Sequence, residues 1–293
     1  MKTNELIGTV VKTQRELYYV QTEDELITSK ARGLFRKSDQ SPLVGDKVLV
    51  TVSKEDKGGY ITKILPRKNI LKRPKVVNID LAFLVFSIKH PNLNLYLLDK
   101  NLIINEYLKV ETSIIFTKTD NSDIKEIENL KKMYEDIGYR VFLSSIFDDE
   151  GVKIIKREVK NRIVSFSGPS GVGKTSLISK ILGKDLEIGE ISNKTKRGKN
   201  TTRHTELFVT DNKGFILDTP GFSSINLDID YDFKLDSLFR EFKKYSGQCK
   251  YNDCLHLNEP DCKIKENIKN TIYQTRYDNY KMFLNEIKNN RRF

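Results

Sequence analysis

Gly168-Pro169-Ser170-Gly171-Val172-Gly173-Lys174-Thr175-Ser176 constrains what this chain can fold into more than any other stretch. It fits G-x-x-x-x-G-K-[ST], a loop that must leave a buried strand and open a helix before its backbone can cradle phosphate. Both flanks comply. The apolar run Ile163-Val164-Ser165-Phe166-Ser167 precedes it, and Ser176-Leu177-Ile178-Ser179-Lys180-Ile181-Leu182 follows with helix-compatible spacing. The glycines let the backbone curl so that several N–H groups turn inward, and the following helix offers its positive end. Lys174 then reaches the β- and γ-phosphates, and Thr175 ligates Mg²⁺.

From Asp80 to the loop, apolar strands alternate with helices. The strands are 81–87, 112–116, 140–143 and the run at Ile163; the helices are 95–108 and 123–137. Apolar runs joined by helices predict a mostly parallel sheet in an α/β domain. Thr117-Lys118-Thr119-Asp120 closes one of these strands and is similar to [NT]-K-x-D, a guanine-reading motif. An ionised aspartate only accepts hydrogen bonds, so it takes two from guanine N1–H and its N2 amino group, whereas adenine offers neither in that arrangement. An ATPase would have to place adenine against Asp120. Lys118 is expected to pack its stem over the base, and Ser144-Ser145 after the next strand to present N–H groups to the guanine oxygen.

Downstream of the loop, the basic segment Lys194-Thr195-Lys196-Arg197-Gly198-Lys199-Asn200-Thr201-Thr202-Arg203-His204 stands where a first switch belongs, with Thr201 and Thr202 as candidate Mg²⁺ ligands. Phe215-Ile216-Leu217 then leads into Asp218-Thr219-Pro220-Gly221, a D-x-x-G match. Its aspartate holds Mg²⁺ through water and its glycine N–H senses the γ-phosphate. Phe222 occupies the place of a water-orienting glutamine and cannot polarise water, so hydrolysis needs a group from elsewhere; Asn200 and His204 are candidates. The guanine-reading motif precedes the phosphate loop, the reverse of the ordinary order. That order describes a circularly permuted GTPase domain.

Residues 1–66 read as short strands rich in β-branched and aromatic residues, at 7–11, 17–20, 47–52 and 60–64. Four or five strands in so small a module predict an OB-type barrel, with Lys30, Arg32, Arg36 and Lys37 as phosphate contacts and Tyr18 or Tyr19 as a stacking surface. The segment 66–75, basic and with two prolines, reads as a linker. At the other end, Cys249-x₄-Cys254-x-His256-x₅-Cys262 uses all three cysteines and one of three histidines. Three thiolates and an imidazole suit a closed, structural zinc site; His90, without cysteine neighbours, reads as structural. The flanking segments 235–245 and 272–287 have helical periodicity, and Tyr273, Tyr277, Tyr280, Leu284 and Ile287 form a core stripe.

Lys and Arg number 51 against 40 Asp and Glu, a net charge of +11 that points to a polyanionic partner. No signal-like apolar core opens the chain, and its longest apolar run, 81–86, is too short to span a bilayer. A cytoplasmic protein without a membrane partner is expected.

Together the barrel-like module, the permuted motifs and the Cys₃His pattern resemble the ribosome small-subunit-dependent GTPase A family, the RsgA or YjeQ/YloQ type. The resemblance implies an OB-fold RNA-binding domain over 1–66, an α/β circularly permuted P-loop GTPase domain over 67–225 and a mainly α zinc-binding domain over 226–293. It implies a monomeric GTP hydrolase, GTP to GDP and phosphate, that binds the 30S subunit and its 16S rRNA, is stimulated by it and acts late in its maturation. An alternative from another class is an RNA-binding assembly factor whose nucleotide state gates affinity, with incidental turnover. Two departures stand out: Asn200 where the family commonly has histidine in G-x-H-T-T, and Thr117 in place of asparagine.

Overall fold

The computed structural model describes residues 4–32, 35, 41–52, 58–72, 74–145, 149–184, 205–218 and 234–290. Asn200, Thr201, Thr202, His204, Gly221 and Phe222, with Arg36 and Lys37, lie outside them. The chain divides into two compact units. One comprises Met1–Phe83, Ile146–Ser167 and Gly173–Pro220; the other comprises Leu84–Ser145, Gly168–Val172 and Gly221–Phe293.

The first unit opens with a closed barrel of order β1-β2-β3-β5-β4, formed by β1 (Asn4–Gln14), β2 (Leu17–Gln21), β3 (Leu26–Ala31), β4 (Lys47–Val52) and β5 (Gly59–Ile64). Inward side chains alternate with outward ones, and Val10, Val20, Ile27, Val48, Val50 and Ile61 fill the interior. Strand β3 completes the closure by pairing antiparallel with β2 and parallel with β5. Its sequence, LITSKA, has one buried apolar residue, Ile27; the other buried position is Ser29 and Leu26 is 54% exposed, so the barrel rather than composition makes it a strand.

The expected linker is folded. Residues Ile70–Lys72 (β6) and Lys75–Val77 (β7) pair as an antiparallel hairpin, with Val76 and Val77 fully buried. Arg67 forks onto the buried Asp46, with Nε to Oδ1 at 2.8 Å and Nη2 to Oδ2 at 2.7 Å. Charged, proline-flanked composition suggested solvent; a bidentate ion pair and two buried valines decide otherwise.

The α/β part is a six-stranded sheet of order β10-β9-β8-β11-β13-β12. Its strands are β8 (Leu81–Ser87), β9 (Glu111–Thr117), β10 (Arg140–Ser144), β11 (Ile163–Ser167), β12 (Leu207–Val209) and β13 (Phe215–Asp218). Every residue of β8 and β11 is buried, as two covered faces demand. Strands β10 and β9 run parallel, as do β11 and β13, while β12 runs antiparallel to β13. The helices are α1 (Leu95–Tyr107), α2 (Ile124–Ile137), α3 (Asp149–Val159) and α4 (Lys174–Leu182). Asp123 caps α2 by accepting from Lys125 N at 2.7 Å, and Gly138 ends it at φ 99°.

After Lys234 the chain is mainly helical, with a short α5 (Lys263–Glu266) and a long α6 (Gln274–Asn290). The helix expected over 235–245 is instead two 3₁₀ turns, Leu235–Leu238 and Arg240–Tyr245, divided by Phe239 in extended backbone. Tertiary contact explains the break: the Phe239 ring stacks on Phe242 at 4.9 Å, meets Tyr280 edge-on at 5.3 Å and lies under the Arg276 guanidinium at 4.7 Å. Of the expected stripe, Tyr277, Tyr280, Leu284 and Ile287 on α6 are buried core, whereas Tyr273 precedes the helix, is half-buried and donates its hydroxyl to Asp136 Oδ2 at 2.7 Å.

Candidate functional site

In the second unit the phosphate loop starts under steric constraint. Gly168 is buried at φ 153°, and a Cβ there would lie 1.9 Å from the Val85 carbonyl oxygen, so only glycine lets the loop leave the sheet this closely. Pro169 is half-buried, and Ser170 and Gly171 are exposed. The guanine-motif candidates meet this loop directly. Buried Thr117 donates its hydroxyl to Val172 O at 2.6 Å, and the same oxygen lies 3.3 Å from Phe86 O. Lys118, in left-handed backbone at φ 55°, donates Nζ to Gly171 O at 2.8 Å and also to the His90 carbonyl. Thr117 thus ties the two loops together. The Lys118 ammonium is held by backbone carbonyls, and His90 contributes one of them. Thr119 and Asp120 form a 3₁₀ turn with Asn121, and the Asp120 side chain is exposed. Ser144 pairs in register with Thr117 across the parallel strands, and half-buried Ser145 follows it.

In the first unit the loop becomes a helix. Gly173 adopts φ 95° at the N-cap of α4, which makes Lys174, Thr175 and Ser176 its first turn. Asp218, the last residue of β13, belongs to the same unit. Burial lowers the Lys174 pKa, against a raising pull from Asp218. Burial likewise raises Asp218, against the pull of Lys174. Both charges are thus held in an environment that disfavours them, and Asp218 Oδ1 is buried without a hydrogen-bond partner among the described residues. A hydrated cation would satisfy that oxygen, so the residues fit Mg²⁺.

The cysteine-histidine cluster assembles within the second unit. Its four ligand atoms lie within 4.8 Å of one another. His256 Nδ1 is 3.6 Å from Cys249 Sγ, 3.4 Å from Cys254 Sγ and 3.4 Å from Cys262 Sγ, and Cys249 and Cys262 are 3.9 Å apart. Tetrahedral ligands at ~2.3 Å (S) and ~2.0 Å (N) from a centre would be separated by about 3.5–3.8 Å. The cluster can hold a metal ion. Sequence reasoning missed the group behind it: His256 Nε2 faces Asp236 Oδ2 at 3.5 Å, the carboxylate that orients a ligating imidazole. Asp236 lies 20 positions upstream with no motif spacing to mark it. The tyrosines of α6 also steady this loop, Tyr277 donating to His256 O at 2.6 Å and Tyr280 to Leu255 O at 2.9 Å.

The family profile described as RsgA GTPase matches residues 64–228, and that of the RsgA N-terminal domain matches residues 7–61. The chain belongs to the RsgA GTPase family. Among curated relatives, the small ribosomal subunit biogenesis GTPase RsgA of Caldanaerobacter subterraneus subsp. tengcongensis is 43% identical over 283 residues, 96% of this chain and 95% of that protein. The protein of the same name from Alkaliphilus metalliredigens is 40% identical over 289 residues, 98% of this chain and 99% of that one. The crystal structure of YloQ, described as a circularly permuted GTPase, superposes with a TM-score of 0.80 at 33% identity, covering 98% of this chain and 96% of that one. YjeQ from Thermotoga maritima gives 0.81 at 33% identity, covering 97% and 99%.

Membership of the RsgA family agrees with the barrel, the permuted α/β sheet and the Cys₃His cluster. No helix among the described residues is long and apolar enough to cross a membrane. The first-switch candidates Asn200, Thr201, Thr202 and His204, and Gly221 of the second, fall outside the described residues of this RsgA family member.

Proposed function

We propose that this chain is a GTP hydrolase that binds the small (30S) ribosomal subunit through its 16S rRNA and acts late in its maturation, as a cytoplasmic monomer. One observation carries the nucleotide reading. Thr117 and Val172, 55 positions apart, share a 2.6 Å hydrogen bond, so the guanine motif and the phosphate loop meet although their chain order is reversed. On this reading Asp120 takes the guanine N1–H and N2 amino group, Ser144 and Ser145 flank the base, and the loop from Gly168 to Ser176 with Lys174 cradles the phosphates. Thr175 and Asp218 would hold Mg²⁺, with Thr201, Thr202 and Gly221 as switch residues. A cation held there would supply positive charge to offset that of the transferring phosphoryl group. The names of the relatives and the excess of basic residues support the ribosomal reading, with 1–66 as the OB-fold RNA-binding domain, 67–225 as the GTPase domain and 226–293 as the zinc domain.

The test is phosphate release at a fixed GTP concentration, alone and with purified 30S or 50S subunits. The expected result is stimulation by at least ~10-fold with 30S and none with 50S, as when a partner supplies what an active site lacks. Equal rates with and without 30S would defeat the proposal. Release from 30S that proceeds normally with a non-hydrolysable GTP analogue would instead favour a nucleotide-gated assembly factor.

Asp120→Asn is expected to weaken GTP binding by roughly 10–100-fold, the cost of facing guanine's donors with an amide N–H. The same change should strengthen binding of xanthosine triphosphate, whose 2-oxo group accepts from that amide. Competition against a fluorescent GDP reads both; unchanged preference would place Asp120 away from the base.

We assign zinc to the cluster of Cys249, Cys254, His256 and Cys262, because three thiolates with one imidazole suit a closed four-coordinate structural site. Metal analysis of the purified protein should find about one zinc per chain. Cys262→Ala should lower that content and the thermal midpoint together; a full zinc complement in the variant would show that the metal sits elsewhere.

A further inference from the structure

Within the first unit, the barrel grips one hairpin at both ends. Strand β12 is the edge of the sheet and pairs with β13, Leu207 opposite Leu217. At its start, Glu206 forms an antiparallel backbone bridge with Lys12 of barrel strand β1, and Lys12 Nζ meets Glu206 Oε2 at 2.9 Å. At the far turn, Lys213 Nζ reaches Glu23 Oε1, between β2 and β3, at 2.6 Å. The register of β1 against β2 shifts between Val10 and Lys12, and a bulge of this kind re-aims the side chain beside it. The turn itself is stiff: Thr210 N donates to Gly214 O at 2.9 Å, Gly214 N donates back to Thr210 Oγ1 at 2.9 Å, and Asn212 is tied to Lys156 O of α3 at 2.8 Å.

What this hairpin carries gives the grip its meaning. Its last residue is Asp218, and Glu206 comes two positions after the first-switch candidate His204. Any shift of Asp218 along β13 moves Leu217, hence Leu207 opposite it, hence Glu206 and the bridge to Lys12. Of the two pairs, the one at the turn is a poor stability device, whereas Lys12 and Glu206 are only 28% and 35% exposed. Lys213 and Glu23 are 65% and 75% exposed, and exposed pairs of that kind contribute little. Their placement at the two ends of one hairpin suits them to setting position.

We propose that Lys12, Glu206, Glu23 and Lys213 are positioning residues that couple the nucleotide state sensed at Asp218 to the barrel, so that γ-phosphate and a polyanion on the barrel bias one another. This rests on the reading of Asp218 as a nucleotide-sensing residue. Coupling of two sites is reciprocal. The nucleotide must therefore alter the barrel even with no ribosome present.

The test is amide hydrogen exchange on the full chain with saturating GDP and with a non-hydrolysable GTP analogue, nucleotide affinity and thermal melting being measured on the same samples. In the wild type, peptides covering β1 should exchange about fivefold differently between the two nucleotides, the low end for coupled sites. Lys12→Glu and Lys12→Met should erase that difference without lowering the melting temperature, and Lys12→Arg should keep it. The exchange of charges in Lys12→Glu with Glu206→Lys should restore it. Exchange in β1 that ignores the nucleotide in a wild type that binds both overturns the coupling alone. Failure of the charge exchange to restore it also overturns the proposal. A wild type that binds neither nucleotide overturns the reading of Asp218 and this inference with it.

Discussion

Lys174→Ala is expected to lower single-turnover GTP hydrolysis by at least ~100-fold, the loss seen when one preorganised group is removed from a transition state's charge. Gly173 in left-handed backbone makes Lys174 the first residue of α4, at the positive end of the helix dipole. Burial disfavours its charge, and Asp218 only partly offsets that. An anionic ligand would complete the balance, so the charge is worth more to bound phosphate here than on an exposed surface. Lys174→Arg keeps the charge but not the compact geometry, and should also lose most activity. Phosphate release from a stoichiometric enzyme–GTP mixture measures this. A Lys174→Ala rate within tenfold of wild type would remove Lys174 from the phosphate site.

Arg276→Met is expected to cost about 3–5 kcal/mol of stability, because it strands two buried carboxylates. Arg276 is fully buried. Its Nη1 lies 2.7 Å from Asp99 Oδ1 on α1, and its Nε donates to Glu241 Oε1 at 2.7 Å. Asp99 also accepts from Asn279 Nδ2 at 2.6 Å and from Tyr134 OH at 2.9 Å, so α1, α2, the 3₁₀ segment and α6 share one network. Burial works against the guanidinium, but Asp99 and Glu241 outweigh it and hold its pKa above the ordinary value. Urea denaturation should therefore show a large fall in midpoint for Arg276→Met. Replacing Arg276, Asp99 and Glu241 together by apolar residues of similar volume should recover most of it, since no buried charge is then left unpaired. A single variant within ~1 kcal/mol of wild type would show that this network is not desolvated in solution.

The network also shows why part of the architecture was not legible in the sequence. Nothing in the spacing of Asp99, Glu241, Arg276 and Asn279 distinguishes them from the many charged and polar residues on helix surfaces. They form a network only because three elements converge on them. Asp236 is a parallel case, an ordinary aspartate until the fold sets it against His256 Nε2. Phe239 gave the opposite error. Its place in a helical apolar pattern predicts a continuous helix, yet contacts with Phe242, Tyr280 and Arg276 hold it extended. The segment 66–75 misled through composition, because a basic, proline-flanked stretch carries no local mark of the buried Asp46 that Arg67 finds. Strand β3 was missed because its polar residues become a strand only when β2 and β5 supply hydrogen bonds on both sides.

By itself the sequence determined the phosphate loop, the reversed order of its companion motifs, the four members of the metal cluster and the sequence of barrel, α/β and helical modules. These are local matters: backbone freedom at glycine, the donor and acceptor pattern of one side chain, the softness of thiolates and the periodicity of apolar residues act over a few positions. Only the tertiary structure decided that Thr117 and Lys118 bond the loop carbonyls, that Asp218 Oδ1 is buried without a partner among the described residues, that Asp236 backs His256, and that the barrel holds the hairpin ending at Asp218. Each of these depends on burial and on distances between residues far apart in the chain, where desolvation sets the value of a charge or a hydrogen bond, and no local pattern records it.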